Sequence, residues 1–548
     1  MKRVESLLKT DGQQPHILPI MKKTRTVIFY SKLHLLLLAA VLPAITAVAD
    51  VRLPKIFTDN MMLQRDQPVR VWGWAAAGEA VSVSFAGKTA ATQAGEDGQW
   101  SVELPANKSG ENLELTVQGK NRLTLKNVVL GDIWVCSGQS NMEWDMSQCS
   151  ASDDIKAADF PNIRRIKFNH TRSGQPEADA PTATPWQVCS PATASGFTAA
   201  GFFFAREVHQ KTGVPIGIVD SNWGGTRIEP WVAVEGLALV EELKPALAKK
   251  QEEARAYRAS LPKALTEMER WITRTRSQLA SGTAISPAPV IPAMPDGGWS
   301  GLYNAMIHPL VRFPIKGALW YQGEANGDEG ETYYVKMRAL IGGWRQQWGL
   351  GDFPFYFVQL ASFQAVTDDP AGGNGWAKLR EAQTKSLLIP NTGMAVIIDT
   401  VPLAAADDIH PKNKYDVGLR LARWALNRDY GQKQLEVSGP LFKTLKLEGS
   451  QARLTFDHVG AGLMVGKKVG RESAAEAGGE KLKRFAVAGA DQKWFWADAV
   501  IENNSVVVSS PEVKSPVAVR YGFQMNPTGA NLYNRDGLPA SPFRTDAW

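Results

Sequence analysis

Between residues 127 and 430 the chain alternates short apolar runs with longer stretches whose apolar side chains recur at helical spacing. Residues 133–136 and 315–321 have the length of buried strands, and residues 197–212 carry an apolar helix face. Strands that alternate with helices form a parallel sheet covered by helices on both faces. We therefore predict an α/β fold here. The same pattern predicts strands 215–220, 355–360 and 395–399, and helices 331–348, 376–388 and 413–427.

A polar segment follows the first predicted strand of this sheet. After residues 133–136 the chain continues with Ser-Gly-Gln-Ser-Asn-Met at 137–142. Small residues at a strand end let the backbone turn sharply and approach a ligand closely. Open α/β sheets bind their ligands at the carboxyl ends of the strands. Ser140 is therefore the candidate nucleophile.

A serine nucleophile needs a base, and residues 406–411 contain the best candidate. His410 suits the role because an imidazole titrates near neutral pH. A carboxylate should orient the imidazole and stabilise its protonated form. Asp407 and Asp408 are both candidates for that carboxylate.

Two further polar segments follow predicted strands. Residues 221–227 contain the pair Gly224 and Gly225, whose backbone N–H groups can face a ligand. Residues 320–326 contain Gln322 and Glu324 just after an apolar run. Polar segments at the ends of several strands indicate one common site.

These segments resemble the sialate O-acetylesterase family, a branch of the SGNH hydrolases. The resemblance is specific because the motifs occur in the family's order. It extends from about residue 51 to the C-terminus and is weakest between residues 232 and 298. The motifs are Trp-Val-Cys-Ser-Gly-Gln-Ser-Asn-Met at 134–142, Trp-Gly-Gly-Thr at 223–226, Trp-Tyr-Gln-Gly-Glu at 320–324 and Asp-Ile-His-Pro-Lys-Asn-Lys at 408–414.

The resemblance implies an SGNH-type three-layer sandwich with a parallel sheet, flanked by β-sandwich regions. It also implies a serine esterase that removes O-acetyl groups from carbohydrate and needs no metal or cofactor. The family name points to O-acetylated sialic acids. Related bacterial members are linked to acetylated hemicelluloses such as xyloglucan and xylan. A carbohydrate-binding protein without activity is the alternative from a different class.

The resemblance also assigns roles to individual residues. The Asp-x-x-His spacing of the SGNH superfamily slightly favours Asp407 as the triad acid, whereas Asp408 matches the family's Asp-Ile-His-Pro. The expected oxyanion donors are the Ser140 N–H, the N–H of Gly224 or Gly225, and the Gln322 amide, which stands where SGNH enzymes generally use asparagine. The residues expected to contact substrate are Gln139, Asn141, Arg227, Asn304 and Glu324.

The composition changes on both sides of the α/β region, residues 127–430. Residues 50–126 and 431–548 alternate like strands separated by turns, which predicts two β-sandwich domains. Residues 232–298 predict a helical insertion that Pro245 and Pro262 break into pieces. The insertion is either a lid over the site or a surface decoration.

The N-terminal 49 residues are typical of an export signal. Basic residues precede an apolar run at 35–45 and an Ala-Val-Ala sequence, which predicts cleavage after Ala49. We therefore expect a periplasmic or secreted protein that is not held in a membrane after cleavage. Of the three cysteines, Cys136 lies on a predicted strand, and Cys149 and Cys189 can pair in an oxidising compartment.

Several other chemistries are disfavoured. The net charge is +6, with no concentrated basic face, which argues against nucleic acid as a partner. The chain has no His-Glu-x-x-His or Cys-x-x-Cys, so no metal site is indicated. The segment around Ser140 lacks the second glycine of Gly-x-Ser-x-Gly, which argues against an α/β-hydrolase. The expected partner is an acetylated oligo- or polysaccharide.

Overall fold

The computed structural model of the chain describes residues 50–180 and 182–548. The predicted export signal at residues 1–49 and its cleavage site lie outside the described residues. None of the helices in the described part of the chain combines the length and the apolar character needed to cross a membrane.

A β-rich region precedes the central sheet. Its strands β3 and β4 form an antiparallel hairpin, β6 pairs with β3, and β2 pairs with β5. The bounds are β1 (Met62–Gln64), β2 (Val69–Trp74), β3 (Ala80–Phe85), β4 (Lys88–Gln93), β5 (Gln99–Leu104) and β6 (Gly110–Gln118).

Seven strands form the central sheet: β7 (Arg122–Gly138), β8 (Phe160–Phe168), β9 (Thr182–Cys189), β10 (Ile216–Asn222), β11 (Gly317–Tyr321), β12 (Phe355–Val358) and β13 (Thr392–Ala395). Their order across the sheet is β13, β12, β11, β7, β10, β8, β9. All neighbours are parallel except β8 and β9, which are antiparallel. The sheet is therefore mixed, and the expectation of a purely parallel sheet was wrong at this edge. The described residues between β8 and β9 contain no helix, so the chain returns beside the strand it has just left.

Helices cover both faces of the central sheet. Residues of β7 alternate between the faces, as the period of a strand requires. Trp134 and Cys136 pack in one core cluster with α3 and α8, while Ile133 and Val135 pack in another with α6. The eight α-helices of the described residues are α1 (Ser140–Glu143), α2 (Ser152–Lys156), α3 (Ala199–Thr212), α4 (Val234–Ala238), α5 (Lys244–Ser281), α6 (Thr332–Trp348), α7 (Gly375–Lys385) and α8 (Lys414–Arg428).

Strand β7 belongs to two sheets. Its first half pairs with β6, and its second half lies between β10 and β11 in the central sheet. The expected domain boundary between Lys126 and Asn127 falls inside this continuous strand. The N-terminal β-region is therefore joined to the strand that leads to Ser140 without an intervening linker.

Strand β13 lies closer to the N-terminus than the predicted strand 395–399. Its partner β12 ends at Val358, which pairs with Ala395, so no neighbouring strand remains for residues 396–398. Val396, Ile397 and Ile398 are nevertheless buried. Their apolar character reflects burial in a loop rather than pairing, which the sequence pattern does not distinguish.

The insertion contains one long helix rather than several pieces. Helix α5 runs from Lys244 to Ser281 and continues through Pro262. Pro245 lies in the first turn, where a missing N–H costs nothing. Pro262 removes one backbone hydrogen bond without ending the helix, and Thr266 Oγ1 donates to the Pro262 carbonyl at 3.0 Å. The prediction that both prolines break the insertion was wrong.

The C-terminal region is β-rich, as predicted. It forms separate antiparallel sheets of four, three and four strands around a core of its own. The bounds are β14 (Leu441–Glu448), β15 (Gln451–Asp457), β16 (Leu463–Lys467), β17 (Ala475–Glu476), β18 (Phe485–Ala488), β19 (Trp494–Trp496), β20 (Asp498–Glu502), β21 (Ser505–Ser509), β22 (Ala518–Tyr521), β23 (Leu532–Asn534) and β24 (Phe543–Arg544).

Candidate active site

Ser140 is the first residue of α1 and follows directly on β7. Gly138 ends the strand with φ of +132°, and a Cβ atom there would collide with the Tyr321 carbonyl oxygen. The glycine therefore allows the sharp turn that carries Ser140 to the carboxyl edge of the sheet. As the first helical residue, Ser140 has a backbone N–H without an intrahelical acceptor.

His410, the candidate base, lies next to this serine. Its Nε2 lies 2.9 Å from Ser140 Oγ, within hydrogen-bond reach. The Trp144 ring stacks on the imidazole, with ring centres 4.3 Å apart and planes 13° apart. Burial and the Lys414 ammonium lower the pKa of His410 despite the opposing charge of Asp408. The neutral imidazole, which can accept a proton, is therefore favoured at neutral pH.

Asp408, rather than Asp407, lies beside the imidazole. Asp408 Oδ1 is 3.3 Å from His410 Nδ1 and accepts the His410 backbone N–H at 2.8 Å. Burial alone would raise the pKa of Asp408, but that N–H and the Lys412 ammonium hold it below its ordinary value. Asp407 is exposed. The preference for Asp407 is corrected, because the turn at 408–410 folds the carboxylate two residues before the histidine back onto its ring.

The Gly224–Gly225 turn lies against Ser140. A Cβ atom on Gly224 would come within 3.3 Å of Ser140 Cβ. The Gly224 N–H, one of the expected oxyanion donors, donates at 2.6 Å to Glu143 Oε2. Gly225 is exposed and has φ of +71°. The glycine turn therefore lies close to Ser140, and a carboxylate accepts its first N–H.

Glu143 and His170 are parts of the site that the sequence analysis did not identify. Glu143 Oε1 lies 2.8 Å from His170 Nε2, and the His170 ring stacks on Trp223 with centres 4.7 Å apart. A signal for Glu143 exists, since it lies three residues after Ser140 and therefore on the same face of a helix. His170 has no such signal, because only the fold brings it close.

Gln322 is held in the interior. Three acceptors lie within 3.2 Å of its Nε2, which has only two protons: Gln139 Oε1, Thr226 O and Asn326 Oδ1. Its Oε1 accepts the Tyr333 hydroxyl at 2.7 Å. Its amide protons are thus already used, so a role for Gln322 as an oxyanion donor would require one of these hydrogen bonds to break. It instead ties the segment after β11 to the turns that follow β7 and β10.

Four of the five residues expected to contact substrate face the interior. Gln139, Asn141 and Asn304 are buried, and Glu324 Oε1 accepts the Asn141 side-chain amide at 2.5 Å. Gln139 Oε1 accepts the N–H of Ala325 at 3.1 Å, and Asn304 donates to the Ser173 carbonyl at 3.1 Å. These hydrogen bonds give all four residues partners within the protein, and their contact with substrate stays a prediction.

Arg227 is the fifth residue and the one that is exposed. Its side chain retains 45% exposure, donates to the Ala325 carbonyl at 2.9 Å and is paired with Glu329. It therefore lies partly exposed but engaged by these partners, on the segment that follows the glycine turn.

A cavity of about 790 Å³ is lined in part by His410 and Asp408. The loop after β13 forms one wall of this cavity. The C-terminal region forms the other wall through residues 466–471 and 527–531. The cavity is large enough for more than one sugar ring, and both regions of the chain line it.

Comparisons with known proteins identify the family of this chain. Residues 130–261 and 280–427 match the family model described as carbohydrate esterase, sialic acid-specific acetylesterase. The sialate O-acetylesterase of Mus musculus is 31% identical over 443 residues, which cover 73% of this chain and 78% of that protein. The sialate O-acetylesterase of Homo sapiens is 28% identical over 454 residues, covering 75% of this chain and 78% of that protein.

A solved structure resembles nearly the whole chain. It is that of a carbohydrate acetylesterase from Xanthomonas citri, with 40% sequence identity and a TM-score of 0.75. The similarity covers 91% of this chain and all of that one. It therefore includes the flanking β-rich regions as well as the central sheet.

Proposed function

This chain belongs to the sialic acid-specific acetylesterase family of carbohydrate esterases, and we propose that Ser140, His410 and Asp408 carry out its ester hydrolysis as a catalytic triad. The observation that carries the proposal is the 2.9 Å approach of His410 Nε2 to Ser140 Oγ at the carboxyl edge of the sheet. The protein is a carboxylic ester hydrolase that acts on O-acetylated carbohydrate.

The first half of the reaction transfers the acetyl group to the serine. Ser140 Oγ attacks the acetyl carbonyl carbon while His410 Nε2 accepts the hydroxyl proton. Asp408 stabilises the imidazolium through its 3.3 Å approach to Nδ1. When the tetrahedral intermediate collapses, the C–O bond to the sugar breaks. His410 returns the proton to the sugar oxygen, which leaves as an alcohol.

The second half releases acetate. A water molecule gives its proton to His410 and attacks the acetyl-serine carbonyl carbon. Collapse breaks the bond to Ser140 Oγ, which regains its proton from His410. Acetate and the free serine are the products, and no electron transfer or added group is needed.

The negative oxygen of each tetrahedral intermediate needs donors. The Ser140 N–H at the start of α1 and the N–H groups of the glycine turn are the candidates, since Gln322 is engaged elsewhere. The Gly224 N–H becomes available once the Glu143 carboxylate moves away from it. Loss of one such donor typically costs about a hundred- to a thousand-fold in rate.

The leaving sugar belongs on the His410 side of the site. His410 must reach the leaving oxygen, and the cavity of about 790 Å³ begins at His410 and Asp408. Its size favours an acetylated oligosaccharide or polysaccharide segment. Acetylated sialic acid is the substrate that the relatives' names indicate, and acetylated xyloglucan or xylan is the alternative.

Acetate release by purified residues 50–548 tests the proposal. We would offer O-acetylated sialic acid, acetylated xyloglucan and acetylated xylan in parallel, with Ser140→Ala as the control. We expect release from one class and at least a thousandfold loss in the variant. Release that survives in Ser140→Ala contradicts the triad. Binding of a glycan without turnover by the wild type favours the non-catalytic alternative.

We also propose export from the cytoplasm. The basic and apolar segments before Ala49 support it, as does a polymeric substrate. Mass spectrometry of the protein from its natural compartment should give an N-terminus at Asp50. An intact N-terminus in the cytoplasm would contradict export.

A further inference from the structure

The side-chain amide of Asn141 connects the loops that carry the two reacting groups. Asn141 follows Ser140 directly, and its Nδ2 donates at 3.0 Å to the carbonyl of Ile409, which directly precedes His410. The same Nδ2 donates at 2.5 Å to Glu324 Oε1. On the other side of the amide, Lys414 Nζ donates to Asn141 Oδ1. One buried amide therefore contacts both loops and two charged side chains.

The two charged groups determine how this amide is oriented. An ammonium has no acceptor and an ionised carboxylate has no donor, so Lys414 must face the amide oxygen and Glu324 the amide nitrogen. Rotating the amide by 180° would place its N–H donors against the donor Lys414 Nζ. It would also place its oxygen against the acceptor Glu324 Oε1. The remaining N–H of Asn141 is then fixed toward Ile409. The charges of Lys414 and Glu324 thereby orient Asn141 so that it donates to the Ile409 carbonyl, which joins the Ser140 loop to the His410 loop.

Burying the Lys414 ammonium would cost free energy without an acceptor such as Asn141 Oδ1. Lys414 is fully buried, and it lies in the first turn of α8, where the helix dipole disfavours a cation. Burial lowers the pKa of Lys414 to about 8. Its Nζ lies 5.0 Å from the centre of the Tyr321 ring and 5.8 Å from that of Trp144. These cation–π contacts offset part of the free-energy cost of burying the ammonium.

Glu324 is similarly enclosed. Its Oε2 is buried and has no hydrogen-bond partner among the described residues. Burial raises the pKa of Glu324, although the Asn141 amide and the Lys414 charge oppose the shift. The other carboxylate oxygen, Oε1, accepts the Asn141 side-chain amide.

We infer that Lys414 and Glu324 are positioning residues that hold Ser140 and His410 at reacting distance through the Asn141 amide. The inference rests on the proposed triad. Lys414 has a second effect, since its charge disfavours a proton on His410. The other groups that face His410 are Asp408 and Lys412 on its own loop and the Trp144 ring, and Glu324 lies beyond Asn141.

The first test separates positioning from general stabilisation. Asn141→Ala should lower kcat about a hundredfold and change KM less than about threefold, because the ester still binds but the serine and histidine lose their spacing. The matched control is Asn534→Ala, which removes another fully buried amide that bonds two carbonyl oxygens, in the C-terminal region. Equal losses of kcat in two folded variants would overturn the inference.

The second test uses charge. In Lys414→Met the acid limb of the kcat/KM profile should move to higher pH, because the imidazolium of His410 is no longer disfavoured. Lys414→Arg keeps the charge and should return the acid limb toward its wild-type position. Lys250→Met, which removes a buried lysine of the insertion helix, should leave the acid limb where it is. An acid limb that is the same in wild type and Lys414→Met would overturn the assignment of Lys414.

A third measurement does not depend on turnover. NMR titration of the His410 imidazole in wild type and Lys414→Met reports the same shift directly. If the wild type hydrolyses no acetyl ester, the proposed function fails, while a higher pKa of His410 in Lys414→Met still supports the inference. Glu324→Gln keeps an acceptor for Asn141 but removes the charge, and it should lose less kcat than Asn141→Ala. A larger loss in Glu324→Gln would contradict the role given to the amide.

Discussion

Asp408 is the residue whose charge most directly supports a proton on His410. Its carboxylate lies 3.3 Å from His410 Nδ1, whereas its neighbour Asp407 is exposed. Asp408→Asn should lower kcat by about a hundred- to ten-thousandfold, because the imidazolium loses its partner. The acid limb should also move to lower pH, since that carboxylate raises the pKa of His410.

Asp407→Asn is the matched control for Asp408. It changes the same chemical group one residue earlier in an exposed position and should keep kcat within about threefold. Steady-state kinetics of both variants on one acetyl ester decide between the two carboxylates. A large loss in Asp407→Asn with little change in Asp408→Asn would restore the Asp-x-x-His assignment.

The lowered pKa of Lys414 predicts that the free energy of unfolding depends on pH. Its pKa is lowered from 10.5 to about 8 in the folded protein, so between these values the unfolded chain binds a proton that the folded chain does not. Stability contributed by this group therefore rises with pH across that window. Relative to Lys414→Met, the free energy of unfolding of the wild type should rise by about 3 kcal/mol from pH 8 to 10.5. Denaturant unfolding measures it, and a flat difference would contradict the burial of a charged lysine.

The residues that sequence reasoning identified and those that it missed differ in one physical respect. Ser140 follows a predicted strand and His410 lies in a recognisable motif, so the neighbouring sequence indicates a role for each. Glu143 and Lys414 act only through partners distant in the chain, Gly224 and Asn141. The position of Lys414 in the first turn of a predicted helix nevertheless indicated a special environment, because the helix dipole disfavours a cation there.

At the scale of elements, the glycine turn after β10 decides how closely the backbone approaches Ser140. Gly224→Ala would place a Cβ 3.0 Å from Glu143 Oε2 and 3.3 Å from Ser140 Cβ. These contacts are tight, so we expect kcat to fall by about ten- to a hundredfold with little change in the melting temperature.

Gly225→Ala provides the comparison for this turn. A Cβ on Gly225 meets open space, but its positive φ strains an alanine by roughly 1 kcal/mol. We therefore expect a lower melting temperature and a smaller loss of kcat than in Gly224→Ala. Kinetics and thermal unfolding of both variants check the pair. Equal kcat losses would mean that crowding of Ser140 is not the controlling factor.

Helices and strands were predictable from the sequence where the spacing of apolar residues was regular. The helix predicted at 197–212 is α3 (Ala199–Thr212), and Gly213 ends it in the left-handed conformation, with φ of +72°. Pro262 was misjudged because local propensity disfavours it inside a helix, whereas α5 as a whole is rich in Ala, Leu, Lys, Arg and Glu, which favour one. The antiparallel edge strand β9 was missed because strand direction depends on pairing, which a local pattern does not encode.

At the scale of the whole molecule, the cavity beside His410 links the catalytic sheet to the C-terminal region. Lys467 lines this cavity and is exposed at the end of β16. Lys467→Trp should narrow the cavity and raise KM for acetylated oligosaccharides about five- to tenfold. Hydrolysis of a small acetyl ester should be unchanged, because it does not extend into the cavity.

Lys446→Trp is the control for this cavity. It introduces the same ring on an exposed lysine of the same β-rich region that does not line the cavity. Both substrates should be hydrolysed as by the wild type. If Lys467→Trp also leaves the oligosaccharide KM unchanged, the leaving sugar does not occupy this cavity.

The proposed mechanism depends on Ser140 as the nucleophile and on His410 as the base that activates it. Reaction of the protein with a serine-directed fluorophosphonate, followed by peptide mass spectrometry, tests it most directly. We predict a single adduct on Ser140, formed at least about a hundredfold more slowly in His410→Ala and absent in Ser140→Ala. An adduct on another residue, or labelling of Ser140 at the same rate without His410, would contradict the account.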